Sequence, residues 1–154
     1  MNRTWAEYKV GFGDPGGNYW LGNDRLSQLT ANNRYNLRFD LQQRDTGNWY
    51  YAEYSTFRLL SEADNYTLQV DGFSGNVSYD TFGSYHNGQK FTTIDRDHDR
   101  TPSGNYAAAI GGGYWYRNYG GCLVNGARTT GYFYCYGLPG PNALQLSRMW
   151  LQCK

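Results

Sequence analysis

The sequence predicts an α+β domain: a twisted antiparallel sheet with short helices over about residues 1–94, then a loop-rich lobe over about residues 95–154. Three observations predict it. Residues 35–41 (YNLRFDL), 49–57 (WYYAEYSTF) and 66–70 (YTLQV) carry the aromatic, β-branched, alternating pattern of half-buried strands. Their connections are short, which favours antiparallel pairing. From about Asp71 onward, turn residues dominate.

The elements come in order along the chain. Thr4 before Trp5-Ala6-Glu7-Tyr8-Lys9 opens a first helix, with Glu7 at capping-box spacing. The glycines and Pro15 of residues 11–17 stop it. Asn23 or Asp24 is placed to cap a second short helix through Leu26, Ser27, Gln28 and Leu29. The three strands come next, and Asn87-Gly88 is a tight-turn signal. Residues 95–140 read as a lobe built of loops. No repeat, linker or low-complexity segment interrupts the chain.

At 154 residues the chain is one domain, long enough for a core. It holds 16 Tyr, 7 Phe, 5 Trp and 20 Gly but only 2 Met. Rings with a polar tip suit sheet faces and ligand-facing surfaces, and glycines suit loops. A net charge of +1 with scattered basic residues argues against nucleic acid and membrane-surface partners. No apolar run approaches a membrane span. No signal peptide is present, so a secreted form with this start is expected to be a mature fragment.

Cys122, Cys135 and Cys153 are the only cysteines, and none has metal-ligand spacing. A Cys122–Cys135 disulfide is the preferred pairing, since a staple suits a region short of regular structure. The alternative is three reduced thiols in a cytosolic protein. Cys153 is left free, or ties to an upstream segment or a second chain. Asn2-Arg3-Thr4, Asn65-Tyr66-Thr67 and Asn76-Val77-Ser78 are glycan-acceptor sequons if the protein is secreted.

The run Asp95-Arg96-Asp97-His98-Asp99 sets three carboxylates at alternate positions in a segment too rich in Gly, Pro, Ser and Asn for a helix. Such side chains converge only where the backbone curls around something, and a hard cation wanting oxygen ligands is the usual reason. The alternative is a solvated charged loop. The run is not an EF-hand: counted from Asp95, Arg100 stands where Gly is needed and Tyr106 where Glu is needed. For Ca²⁺, Asp97 and Asp99 supply carboxylates, and the main chain near Thr101 and Ser103 supplies carbonyls.

The chain resembles the fibrinogen-like (fibrinogen C-terminal) domain. The resemblance rests on Trp5-Ala6-Glu7-Tyr8-Lys9-Val10-Gly11-Phe12-Gly13, Tyr19-Trp20-Leu21-Gly22-Asn23-Asp24 and Ala52-Glu53-Tyr54-Ser55-Thr56-Phe57-Arg58. Above all it rests on Ser84-Tyr85-His86-Asn87-Gly88-Gln89-Lys90-Phe91-Thr92-Thr93 running into the acidic loop. It covers nearly the whole chain and fades after about Leu123, and the resemblance implies that residue 1 falls after the family's N-terminal subdomain. It implies a secreted, extracellular recognition domain and a calcium ion on Asp97, Asp99, Thr101 and Ser103. It also implies a ligand pocket beside that ion, whose positions fall on Tyr116, Asn118 and Tyr119. Tyr134 is a further ring near the site.

Departures matter as much. The family's flanking cysteines stand here as Tyr106 and Tyr119, and Cys122 and Cys135 keep their separation further along the chain. The family's cis peptide corresponds to Asn118-Tyr119, and its pocket histidine to Gly120. The expectation is a calcium-stabilised lectin-like glycoprotein domain binding carbohydrate, acetylated glycans among them, in innate immunity, as a homo-oligomer in the full-length protein. The alternative is a protein-binding module of matrix or signalling type. No nucleophile elbow, phosphate loop or metal-hydrolase motif is present, so no enzyme is expected.

Overall fold

A computed structural model describes residues 2–102, 104–118, 120–126, 131 and 133–154. Helix α1 (Trp5–Val10) has the expected capping box: Thr4 Oγ1 accepts from the Glu7 N–H, and the Glu7 carboxylate accepts from the Thr4 N–H at 2.9 Å. Helix α2 (Asn23–Thr30) takes its expected cap Asn23 as its first helical residue, so the N-cap moves one residue earlier. Gly22, at φ +106°, is the N-cap and offers no side chain. The reason is a close crossing: a Cβ on Gly22 would lie 2.7 Å from the Val10 carbonyl. Backbone packs on backbone there, and only glycine permits it.

Strands β1 (Tyr35–Gln43), β2 (Trp49–Leu59) and β3 (Leu68–Gly75) correspond to the three expected strands; each runs past the C-terminal end of its expected range, and β3 starts two residues late, leaving Tyr66 and Thr67 outside it. All pairings are antiparallel. A short 3₁₀ turn, Glu62–Asp64, joins β2 to β3. The sheet order is β3-β2-β1-β6, where β6 is Leu144–Cys153. The chain past residue 143 therefore leaves the loop-rich lobe and returns to the sheet beside β1, with Phe39 opposite Met149 and Leu37 opposite Leu151. Its sequence hid this. As an edge strand it leaves Met149 and Leu151 half-buried, so its alternation is muted.

Helices α3 (Phe82–His86) and α4 (Tyr106–Ile110) and the two-residue strands β4 (Cys122–Leu123) and β5 (Tyr134–Cys135) complete the described elements. Asn87-Gly88 forms the expected tight turn, closed by the Gln89 N–H donating to the His86 carbonyl at 3.1 Å, but it follows a helix instead of joining two strands. Asn87 ends α3, and the Gly88 N–H donates to the Leu68 carbonyl of β3.

The core is aromatic and joins the two halves. Trp5, Tyr8, Trp20, Phe91 and Trp115 pack as a cluster with ring centroids 5.1–6.3 Å apart. Trp115 is wholly buried, and its indole N–H donates to the Tyr66 carbonyl at 2.8 Å. Gly113 lies flat on Tyr8: a Cβ there would sit 2.6 Å from the ring, and the Gly113 N–H donates to Tyr8 Oη at 2.9 Å.

Candidate functional site

The acidic run divides in two. Asp95 turns toward α1, where it accepts from the Trp5 N–H (2.8 Å) and Thr93 Oγ1 (2.7 Å). Burial pushes its carboxyl up, but these hydrogen bonds outweigh it and hold the group below its ordinary value. Arg96 stacks over Trp5 at 4.7 Å and lies 3.8 Å from Glu62, so it pairs away from the acidic loop.

Asp97 and Asp99 stay together. Asp97 Oδ1 accepts from the Asp99 N–H at 3.1 Å. Asp99 accepts from the Thr101 N–H through Oδ1 and from the Tyr106 N–H through Oδ2, each at 2.7 Å. A carboxylate oxygen keeps lone pairs after one such bond, so both groups retain capacity for a cation. Thr101 Oγ1 is buried with no hydrogen-bond partner among the described residues. An orphaned buried oxygen on the residue whose N–H binds Asp99 suits a hard cation, which takes oxygen donors of mixed type. Among the described residues no group of three or more His, Cys, Asp or Glu side chains is arranged to hold a metal. Any ion here would draw on two carboxylates plus main-chain oxygens. Ser103 lies outside the described residues.

The acidic loop is stitched to the segment that comes after the core. The Arg100 N–H donates to the Arg117 carbonyl at 2.8 Å. Tyr106, whose N–H binds Asp99, sets its ring edge-on to Tyr116 at 5.3 Å. Tyr116 itself is only 1 % exposed, and its hydroxyl donates to the Gly112 carbonyl. Its burial in an apolar surround raises the phenol well above the ordinary value. A ring in that position presents no face to a ligand, so the expected ligand-facing role of Tyr116 is corrected to a core role. Asn118 is exposed on the outside of this segment. Tyr119, and with it the Asn118–Tyr119 bond, lies outside the described residues.

Cys122 and Cys135 form the disulfide, and they face each other across β4 and β5. His86 anchors this hairpin. The Cys122 N–H donates to Nε2 (3.2 Å), so Nδ1 carries the proton and donates to the Trp115 carbonyl (2.8 Å). Thr81 Oγ1 lies 3.4 Å from Cys135 Sγ. Cys153, at the end of β6, is exposed and free.

Three tyrosines surround the glycine pair Gly120-Gly121. Tyr134, half-buried, donates its hydroxyl to the Gly120 carbonyl at 3.1 Å. The Tyr136 N–H donates to the Gly121 carbonyl, and its ring tilts against Tyr134 at 4.7 Å. Tyr85 lies on Gly121, where a Cβ would come within 2.6 Å of its ring. Tyr136 is 46 % exposed and Tyr85 41 %. The sequence did not single out Tyr85 and Tyr136 as exposed rings beside this glycine pair. Alternation about buried Cys135 is the signal that turns Tyr134 and Tyr136 outward.

The loops of this antiparallel domain present exposed rings at Gly120-Gly121 and, separately, an oxygen-rich turn at residues 97–101, surfaces suited to a recognition module. Residues 1–137 match the family model described as fibrinogen beta and gamma chains, C-terminal globular domain, and the chain belongs to that family. It is 43 % identical to human ficolin-3 over 114 residues, which are 74 % of this chain and 37 % of the relative. It is 42 % identical to mouse microfibril-associated glycoprotein 4 over 129 residues, 80 % of this chain and 49 % of the relative. The chain thus spans less than half the length of these curated relatives. The fibrinogen-like globe domain of human ANGPTL2 superimposes with a TM-score of 0.86 at 34 % identity, covering 98 % of this chain and 73 % of that one.

Proposed function

We propose that the chain is an extracellular, calcium-stabilised recognition module of lectin type, without catalytic activity, that binds carbohydrate on the rim of Tyr85, Tyr134 and Tyr136. The observation that carries it is the pair of exposed rings, Tyr85 on Gly121 and Tyr136 against Tyr134: ring faces stack on pyranose faces, and phenol hydroxyls bond sugar oxygens. Calcium on Asp97, Asp99 and the main chain near Thr101 and Ser103 orders the loop that backs the segment 116–118. The Thr101 oxygen without a partner and the bond from Arg100 to Arg117 support this. The ion's part is structural, as it neutralises two adjacent carboxylates that otherwise repel. Acetylated glycans are the first ligands to try, and the full-length protein presents the module in several copies for avidity.

A glycan array run in calcium and again in chelator tests the reading. Sugar is expected to be retained in calcium and lost in chelator, and Tyr136→Ala is expected to lower retention at least tenfold with an unchanged melting temperature. Chelator is expected to lower the melting temperature of the wild type but not that of Asp97→Asn. An array blank in both buffers, together with capture of an extracellular protein, would shift the reading to a protein-binding module. A wild-type melting curve indifferent to chelator would remove calcium.

A further inference from the structure

We propose that Asn76 is an N-glycosylation site and that its glycan covers the open half of the β3 edge. This rests on the reading of the chain as extracellular; it uses residues other than the rim tyrosines, though the Ser78 N–H donates to the carbonyl of Gly137, the neighbour of Tyr136, at 2.7 Å.

Strand β3 is an edge of the sheet, and its two halves differ. The first half is closed by the turn after α3. The Leu68 N–H donates to Gln89 O (3.0 Å), the Gly88 N–H to Leu68 O (2.8 Å), and the Val70 N–H to Asn87 Oδ1 (3.0 Å). From Asp71 to Gly75 every residue is exposed, Phe73 among them, and no strand pairs with that outer edge among the described residues. An uncovered edge with an exposed ring is a template for pairing with another chain.

The sequon Asn76-Val77-Ser78 begins where this edge ends. Asn76 and Ser78 are exposed, and Val77 anchors the segment in the core. Asn76 continues the ladder: its N–H donates to the Tyr51 carbonyl at 3.1 Å, and its Oδ1 accepts from the Tyr51 N–H at 2.6 Å. Fixing Oδ1 on the backbone leaves Nδ2 unbonded among the described residues. Nδ2 is the atom that carries an N-glycan, and the carboxamide oxygen stays an acceptor after the modification. The other sequons are built into structure. Thr4 is the cap of α1. Asn65 is half-buried at φ +53°, followed by wholly buried Tyr66, and the Thr67 hydroxyl donates to the Asp64 carbonyl.

The donor class is a polyprenyl-diphosphate-linked oligosaccharide. Nδ2 attacks C1 of its first sugar, the N–C1 bond forms, and the C1–O bond to the diphosphate breaks. The carrier diphosphate leaves, the amide gives up one proton, and nothing is oxidised or reduced.

The test is expression of the whole chain behind a cleavable secretion leader in mammalian cells, with occupancy read in both the medium and the material retained in the lumen. Chymotryptic cleavage after Phe73 and Tyr79 separates Asn76 from Asn65. Enzymatic deglycosylation in heavy-oxygen water is expected to convert Asn76 to labelled Asp. Ser78→Ala removes the sequon while keeping the Asn76–Tyr51 bonds; it is expected to lose one glycan mass and to self-associate at concentrations where the wild type stays monomeric. Lumenal protein with an oxidised Cys122–Cys135 bond and an unmodified Asn76 overturns the site. A Ser78→Ala protein as monomeric as the glycosylated wild type overturns the covering role. A blank glycan array leaves both results standing, so the two readings fail separately.

Discussion

His86 shows what one side chain does when a fold closes around it. It stands in the stretch Ser84-Tyr85-His86-Asn87-Gly88, and the sequence suggests only a local hydrogen bond for it. In the structure it has no solvent contact and spans two segments, holding the Trp115 carbonyl with one nitrogen and the Cys122 amide with the other. Burial pushes its pKa down from the ordinary 6.5 to about 4. The unfolded chain therefore binds a proton between about pH 6.5 and 4 that the folded chain refuses. Stability from this group is complete above pH 6.5 and is lost as pH falls toward 4. The gap corresponds to about 3 kcal/mol. Denaturant melts between pH 7.5 and 4.5, above the range where most carboxylates titrate, should show this slope, and His86→Asn should flatten it. An equal slope in the variant would place the titration elsewhere. At this scale the sequence marked Asp97 and Asp99 by their alternation. It could not tell Tyr116 from Tyr136, because only the packing decides which of two similar rings is enclosed.

Elements with local causes were the readable ones. The capping box of α1 needs only Thr4 and Glu7 three residues apart, and it formed as spaced. Thr4→Ala should cost about 1 kcal/mol, read as a lowered denaturation midpoint with an unchanged slope. No loss would mean that Asp95, reaching the Trp5 N–H, caps this helix alone. The start of α2 was less readable, since it depends on Gly11 and Gly22 meeting across space. The hairpin of β4 and β5 has two residues in each strand and is held by its disulfide and His86. Opening that 13-residue separation with Cys122→Ser and Cys135→Ser together should lower stability by about 3 kcal/mol. The expected readout is faster proteolysis between residues 120 and 137 before global unfolding. Cleavage rates matching the wild type would show that hydrogen bonds alone secure the hairpin.

Across the whole molecule, the sheet is closed from both ends of the sequence. β1 lies between β2, its neighbour in the chain, and β6, which arrives more than a hundred residues later. Removing residues 144–154 would expose the inner edge of β1 and uncover Leu37 and Phe39. The truncated chain should lose its cooperative melt and precipitate at concentrations where the full chain is clear, by light scattering and calorimetry. A soluble truncation with a sharp transition would demote β6 to an accessory strand. By itself the sequence determined the features that near neighbours set: the α+β class, three strands from their alternation, a capped first helix, and an acidic loop that a helix cannot contain. Tertiary structure alone decided the return of β6, the sealing of Tyr116, the turning of Asp95 toward α1, and the joining of His86 to Trp115 and Cys122. Those outcomes depend on contacts between residues far apart in the chain, whose pairing is set by how the aromatic core packs rather than by any period or propensity along it.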